Sequence, residues 1–416
     1  RPLMAEPIFN AKYGIYLFSW PSLGLAVNIS RLRESHDVIS AEVELKNAGG
    51  DCLHIARLNL FSTQAKRTLA SHLRQQINSL EWDTLVELVS QATIKEYRNG
   101  EPVVEIGALP IRKGPRWRLQ GIIPEGDIAL LFGPGGSGKS WMALAFSVAV
   151  SQGWDGLGLE AEKGNVLYLD WEWGWQEHND RLRELEVGMD LDFHPHLYYR
   201  YCSHKIENDR ESIQQIVIEK KISLIIVDSL VPALGGAREA KENAEPLFST
   251  LRAIPDTSAL VISHTAKDPL QKFRTPYGDV FSTNRPRHVL EMRTGDDTEV
   301  EDGQETPISL WKYKSNLPPA LLKGMYPFGF KLVYKPLGTR IERLDINTVP
   351  ELAKRLSLKS RILLQLKKGA FTKKSLASEL NETEQTTQSR LTDLKKAGMV
   401  ILLPGDYWGL KAKDYV

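Results

Sequence analysis

One turn restricts this chain more than any other part of it. Gly133–Pro134–Gly135–Gly136–Ser137–Gly138–Lys139–Ser140 is entered from the unbroken apolar run Ile128–Phe132 and left through Trp141–Val150. A short run with no polar residue reads as a strand buried on both faces, as in the interior of a parallel sheet. The run after the turn is rich in Ala, Leu, Met and Phe and holds no Gly or Pro, so it reads as a helix packed on that sheet. A glycine turn between such a strand and such a helix points backbone N–H groups inward, where the helix N-terminus adds partial positive charge. The pattern G-x-x-x-x-G-K-S therefore predicts a phosphate cradle over 133–140. Lys139 reaches the β and γ phosphates of a nucleotide and Ser140 holds Mg²⁺.

Around this turn the sequence alternates strand and helix, the pattern of a parallel α/β sheet. Strands are expected at Asn165–Asp170, Leu197–Tyr201, Ser223–Asp228, Ser258–Ser263, His288–Met292 and Ile308–Lys312. Helices are expected at His178–Val187, Asp209–Lys220 and Asn243–Ile254. This unit spans 119–345. Before it, 107–118 is a linker with Pro110, Gly114 and Pro115 among Arg112, Lys113, Arg116 and Arg118. Residues 1–106 read as a small α+β domain. Its strands are Ala26–Ser30, Val38–Leu45 and Cys52–Phe61, followed by a helix capped by Thr63 and a second over Glu81–Tyr97. Arg31, Arg33, Lys66, Arg67 and Arg74 in this domain read as a basic face or as an ordinary solvated surface. Residues 346–416 change character. Helices at Leu352–Leu366, Thr372–Leu380 and Thr383–Lys396 precede two strands, Val400–Leu403 and Tyr407–Leu410, around Pro404–Gly405–Asp406. Three helices and a small hairpin predict a winged helix-turn-helix.

Composition excludes several classes. Two cysteines, Cys52 and Cys202, with no CxxC, argue against a disulfide framework or a cysteine-rich zinc site and fit a reducing cytoplasm. No apolar run approaches a membrane span and no signal peptide is recognisable, so a cytoplasmic location without membrane contact is expected. The first residue is Arg1 and not Met, and trimming of a few N-terminal residues is the expectation. A net charge of +1 means that any affinity for nucleic acid must come from local patches.

Binding a nucleotide is not hydrolysing it. Hydrolysis also needs a second metal carboxylate, a group that orients water, and positive charge on the developing phosphate. Asp228 ends the apolar strand Leu224–Val227 and is assigned to the metal; its other reading is an N-cap of the next helix. Glu172 lies just past the strand that ends at Asp170, across the crevice where parallel sheets bind ligands. It is assigned to polarise the attacking water, with Asp170 pointing into the sheet or supporting it. The alternative is that Glu172 pairs with a surface base. Trp171, Trp173 and Trp175 around it read as packing residues.

On these residues the chain resembles the RecA-like P-loop ATPases, and among them the hexameric replicative helicases of plasmids and phages and their single-domain AAA relatives. The resemblance covers 119 to about 345 and rests on Gly133–Ser140, Asp170–Trp171–Glu172, Ile225–Ile226–Val227–Asp228–Ser229 and Val261–Ile262–Ser263–His264–Thr265–Ala266–Lys267. It implies ATP with Mg²⁺ as cofactors, a hexameric ring with the nucleotide between subunits, and a role in DNA replication or a related DNA transaction. His264 matches the polar residue that senses the γ-phosphate and relays it to DNA-binding loops; taken alone, it also reads as an interior histidine. Lys312 and Lys314 in Trp311–Lys312–Tyr313–Lys314 look like the basic pair that reaches the neighbouring subunit's nucleotide. The chain departs from the family pattern at Gly236–Asn243, where an acidic run is usual, and at Tyr277–Gly278–Asp279, where a Gly-Ser pair is usual.

Two stretches suit nucleic acid. Lys267, Lys272, Arg274, Arg285 and Arg287 are interleaved with Phe273, Tyr277 and Phe281, so phosphates meet charge and single-stranded bases can stack. In the winged helix, Lys373, Lys374, Gln388 and Arg390 are placed to meet duplex DNA; such modules also dock proteins. The reading as a whole is an ATP-hydrolysing, DNA-dependent motor, a ring helicase or translocase. The alternative is a regulatory or scaffold ATPase that docks a protein partner in a nucleotide-dependent way. Strand exchange on a helical filament is a third possibility.

Overall fold

Apolar runs that alternate between two faces build the centre of the molecule. The computed structural model describes residues 6–100, 103–108, 110, 117–266, 275–277, 281–294, 305–322, 325–335, 338–349, 352 and 356–411. The first five strands are β1 (Ile8–Lys12), β2 (Ile15–Trp20), β3 (Leu25–Ser35), β4 (Val38–Asn47) and β5 (Cys52–Asn59), and a short hairpin adds β6 (Trp117–Leu119) and β7 (Ile123–Pro124). The central strands are β8 (Ile128–Gly133), β9 (Asn165–Asp170), β10 (Tyr198–Tyr201), β11 (Ile222–Asp228), β12 (Ser258–His264), β13 (His288–Thr294), β14 (Glu305–Ser315), β15 (Phe328–Lys335) and β16 (Gly338–Arg343). They form one nine-stranded sheet in the order β10-β9-β11-β12-β8-β13-β14-β15-β16. Pairing is parallel from β10 to β13 and antiparallel from β13 to β16.

The period of two along each strand divides its side chains between two cores. Ala129, Leu131, Val166, Tyr168, Leu224, Ile226, Leu260 and Ile262 face one side. Ile128, Leu130, Phe132, Leu167, Leu169, Ile225, Val227 and Val261 face the other. Helices α3 (Lys139–Gln152) and α4 (Trp175–Gly188) cover the first side through Met142, Phe146, Ala149 and Leu185. Helices α5 (Arg210–Lys220) and α8 (Glu245–Arg252), with the shorter α6 (Leu230–Ala233) and α7 (Ala237–Glu242) between them, cover the second through Ile213, Val217, Leu247 and Phe248. The result is a three-layer α/β/α arrangement.

Strands β1 to β5 form a separate antiparallel sheet in sequence order. Helices α1 (Thr63–Gln76) and α2 (Trp82–Asn99) pack on it through Leu69, Leu73, Trp82, Leu85 and Val89 against Phe18, Trp20, Val27 and Val43. Strands β1 and β2 precede the first expected strand, Ala26–Ser30; β1 is mostly exposed and lacks the alternation that marks a half-buried strand, whereas β2 is mostly buried. The cap of α1 is Ser62, whose hydroxyl accepts from the Ala65 N–H at 3.1 Å, so Thr63 is the first helical residue and not the cap. Towards the C-terminus, three helices, Leu358–Leu366, Lys373–Glu379 and Glu384–Lys396, close over Ile362, Leu366, Leu376, Leu391, Leu394 and Trp408. Each starts from a hydroxyl cap: Ser357, Thr372 and Thr383 accept from backbone N–H groups three residues on. Strands β17 (Phe371–Thr372), β18 (Val400–Leu403) and β19 (Tyr407–Leu410) pair beside them in the order β17-β19-β18. The first of these helices begins at Leu358, later than the expected Leu352. Among the described residues no helix is long and apolar enough to cross a membrane.

Candidate nucleotide site

Parallel strands deliver their carboxyl ends to one edge of the sheet, and there the predicted residues meet. Strand β8 runs into the glycine turn, and α3 starts at Lys139 from Gly138, whose φ is +86°. A Cβ at Gly138 would lie 2.9 Å from Leu332 Cδ2, and one at Gly133 would lie 2.8 Å from the Met292 carbonyl oxygen. Glycine is required at both positions, at Gly138 for its left-handed backbone as well. The turn opens on a cavity of about 370 Å³ lined by residues 136–141 together with Glu172, Trp173, Arg181, Asp228, Ile262, His264 and Tyr334. Lys139 is buried and donates to the carbonyl oxygens of Gly133 at 3.1 Å and Pro134 at 2.5 Å. Burial pushes its ammonium down to about 8, against the pull of the Asp228 and Glu172 charges.

Asp228 and Asp170 end adjacent strands and face each other in register. Asp228 is buried; its Oδ2 accepts from the Tyr168 hydroxyl at 2.7 Å. Burial raises its pKa; hydrogen bonds from Tyr168 and Ser140 oppose the shift, while the charges of Glu172 and Asp170 add to it. A carboxylate lifted in this way, beside the Ser140 hydroxyl, is a hard oxygen pair that a divalent cation would stabilise. The two residues fit Mg²⁺. Glu172 accepts at Oε1 from the Ser229 hydroxyl at 2.5 Å, with His264 Nε2 at 3.9 Å. His264 lowers the Glu172 pKa first; burial opposes this and the Ser229 hydroxyl supports it, so Glu172 is a carboxylate at neutral pH. Asp170 does point into the sheet, buried beneath the turn that carries Glu172.

His264 ends β12, the strand lying between β8 and β11. Directly after it the chain pairs with itself: Thr265 bridges Pro276, Ala266 N–H donates to Thr275 at 2.9 Å and Tyr277 N–H to His264 at 2.8 Å. Lys267, Lys272 and Arg274 lie outside the described residues. Arg285 and Arg287 are far from this edge. Arg287 donates to Asp127 at 2.8 Å, beside the start of β8, and Arg285 pairs with Glu245. These two arginines therefore lie at the opposite end of the sheet from His264, because β13 runs parallel to β8 and must be entered from that edge. Lys312 and Lys314 also separate. Lys312 is exposed, whereas the Lys314 ammonium donates to the carbonyl oxygens of Thr283 and Asn284 at 2.9 and 3.1 Å. Lys314 is thus tied down within the chain, so the two ammonium groups are not an equivalent pair. Lys373 pairs with Glu384 and Arg390 with Asp393, both at 3.4 Å, while Lys374 is exposed and Gln388 half-buried on the same unit.

The sequence reading missed Arg181, Tyr334 and the role of Trp173. Trp173 is 49% exposed and Trp175 62%, so neither is a packing residue, and Trp173 lines the cavity. Arg181 sits 5.5 Å from the ring centres of both Trp141 and Trp173 and pairs with Glu177 at 2.8 Å. Arg181 lies inside the expected helix His178–Val187, where nothing in the sequence distinguishes it from a solvated base, and Tyr334 arrives from β15, far away in the chain.

A glycine cradle with its lysine, a buried acid on the second strand along, and a carboxylate just past the third are the layout of a nucleotide-hydrolysing P-loop ATPase of the RecA/AAA type. In agreement, residues 99–269 match the family model described as an AAA domain. No curated protein matches the chain.

Proposed function

We propose that this ATPase is a DNA-dependent motor, a ring helicase or translocase, whose turnover is coupled to a single strand through the segment after His264. One observation carries this reading. His264 stands 3.9 Å from Glu172 and is itself the base of the paired stem at 265–266 and 275–276. The chain between those stem strands carries Lys267, Lys272 and Arg274. A change at the γ-phosphate felt by Glu172 and His264 therefore has a short covalent path to three cations suited to phosphates. Lys139 and the backbone of 133–140 would bind the triphosphate, and Ser140 and Asp228 would hold Mg²⁺, which supplies charge neutralisation on the transferred phosphoryl group. Glu172 would orient water and accept its proton. Arg181 stands in the same cavity as a cation of the same chain, and Lys312 of a neighbour in a hexameric ring would add a second. Residues 119–345 would be the motor and 346–416 a winged helix on duplex DNA, using Lys373, Lys374, Gln388 and Arg390.

The test is ATP turnover with and without single-stranded DNA. Stimulation is expected in the wild type. Glu172→Gln is expected to lose roughly 10²–10⁴-fold in kcat, and Lys139→Ala to lose binding. A wild type indifferent to single strands, or a Glu172→Gln protein with normal turnover, would overturn the reading. A regulatory ATPase that docks a protein partner is the second reading. It is favoured by the ion-paired surface of the C-terminal unit, where Lys373 pairs with Glu384 and Arg361 with Glu382, while Lys359 and Arg390 share Asp393. A salt titration separates the two: each phosphate contact on a single strand contributes a slope of about −0.7 in log affinity against log salt, and a docked protein contributes no such slope.

A further inference from the structure

Beneath the catalytic edge lies a buried acid for which phosphate chemistry has no direct use. Asp170 is wholly buried, yet its carboxylate is saturated. Oδ1 accepts from the Glu172 N–H at 2.9 Å and the Trp173 N–H at 3.2 Å. Oδ2 accepts from His178 Nε2 at 3.0 Å, the Tyr199 hydroxyl at 2.8 Å and again the Trp173 N–H at 3.2 Å. Every partner is a donor, which is the environment of an ionised carboxylate and leaves no place for a proton. His178 is buried as well, with Nδ1 unpartnered among the described residues, so this is the one hydrogen bond its ring makes there, beside contacts with the rings of Tyr168 and Tyr199.

Apart from Tyr199 on β10, these donors belong to two separate arms of the cavity. Glu172 and Trp173 form the turn after β9. His178 lies in the first turn of α4, and Arg181 follows it by three residues on the same helix face. Arg181 in turn rests against the ring of Trp173, whose N–H is one of the groups held. We propose that Asp170 is a positioning residue: its single buried carboxylate fixes both the Glu172 turn and the helix carrying Arg181 against the nucleotide. The inference rests on the reading of Glu172 as the group that activates water, and it adds a residue that never touches substrate. Substitution by Asn keeps the shape but turns an NH₂ group towards donors. Backbone N–H groups cannot reverse, and the His178 ring can accept from the new NH₂ group only by moving its proton to Nδ1, which has no acceptor among the described residues. The charge-assisted bond is therefore lost and the helix arm is loosened.

The experiment compares Asp170→Asn, Tyr199→Phe and Glu172→Gln in the full chain, measuring kcat, KM and the affinity for a fluorescent ATP analogue. Asp170→Asn is expected to lose about 10²-fold in kcat, the scale of a misplacement of about 1 Å, while the phosphate loop, which it does not touch, keeps its affinity. Tyr199→Phe leaves Asp170 in place and removes one charge-assisted bond; it is expected to lose roughly tenfold in kcat at unchanged affinity, and it carries the test if Asp170→Asn does not fold. A wild-type kcat in the folded variants overturns the proposal, as does a loss of affinity that tracks the loss of kcat, which would mark mere structural support. If Glu172→Gln is slow while Asp170→Asn turns over normally, only this inference falls. If Glu172→Gln turns over normally, the reading of Glu172 falls with it.

Discussion

Lys139 offers a measurement that needs no DNA and no partner. Its ammonium is buried, bound to two carbonyl oxygens of its own loop, and pushed down to about 8 from an ordinary value of 10.5. The sign follows directly. Between pH 7 and pH 9 the free protein's protonated share falls from about nine-tenths to about one-tenth. A bound triphosphate surrounds the amine with negative charge and keeps it protonated over that range, so binding at pH 9 must recruit the missing proton. Affinity is therefore expected to weaken about tenfold between pH 7 and pH 9, or about 1.4 kcal/mol. Calorimetry in buffers of different ionisation heat should show uptake of about 0.9 proton per nucleotide at pH 9 and about 0.1 at pH 7. Lys139→Arg removes the titration, because a guanidinium stays charged throughout, and its affinity should be flat across the same range. A wild-type affinity that stays constant from pH 7 to pH 9, with no proton uptake, would refute the argument that a desolvated Lys139 meets the phosphates.

Two further outcomes are expected. His288 is buried at the start of β13, its Nε2 next to the Gly121 carbonyl oxygen at 3.2 Å and the Tyr326 hydroxyl at 2.9 Å. Burial pushes it down to about 4, the Gly121 bond opposing and the Lys312 charge adding. Its unfolded form takes up the proton first, so stability is complete above about pH 6.5 and is lost as pH falls towards 4, about 3 kcal/mol in all. Denaturant melts at pH 7.5 and 4.5 should show a steeper loss in the wild type than in His288→Phe, and equal slopes would contradict the assignment. Gly138→Ala combines a left-handed backbone with a 2.9 Å approach to Leu332 and should cost about 1–3 kcal/mol. It should also weaken nucleotide binding at least about tenfold, since the loop must shift to admit the methyl group; a variant that binds and melts like the wild type would show that the cradle is not tight.

The catalytic edge was legible in the sequence because its parts are local. Glycine spacing fixes the turn at 133–140, and an acid after an unbroken apolar run marks a strand's carboxyl end, which is how Asp228 and Glu172 came out on one rim. Asp170 was legible only as a residue pointing inward; that it gathers Tyr199 and His178 depends on β10 pairing with β9 and on where α4 begins. That helix starts at Trp175 from Gly174 with no side-chain cap, so there was no Ser, Thr, Asp or Asn to mark its first turn. The separation of Lys312 from Lys314 was also hidden. Alternation puts them on one face, but a register shift next to Val289 and the carbonyl oxygens of Thr283 and Asn284 decide which ammonium is tied down. The last two helices were clearer, since Thr372 and Thr383 announce their starts in the sequence itself.

Strand β12 stands between the strand that carries the phosphate loop and the strand that carries Asp228. Neighbouring strands in any sheet sit ~4.8 Å apart, so the width between the strand of the cradle and the strand of Asp228 is ~9.6 Å whatever side chains line it. The gauge of the crevice is thus set by backbone hydrogen bonding. Substitution at the rim can alter what is bound or how fast it reacts, but to widen the gap itself the protein would have to rebuild its strand order.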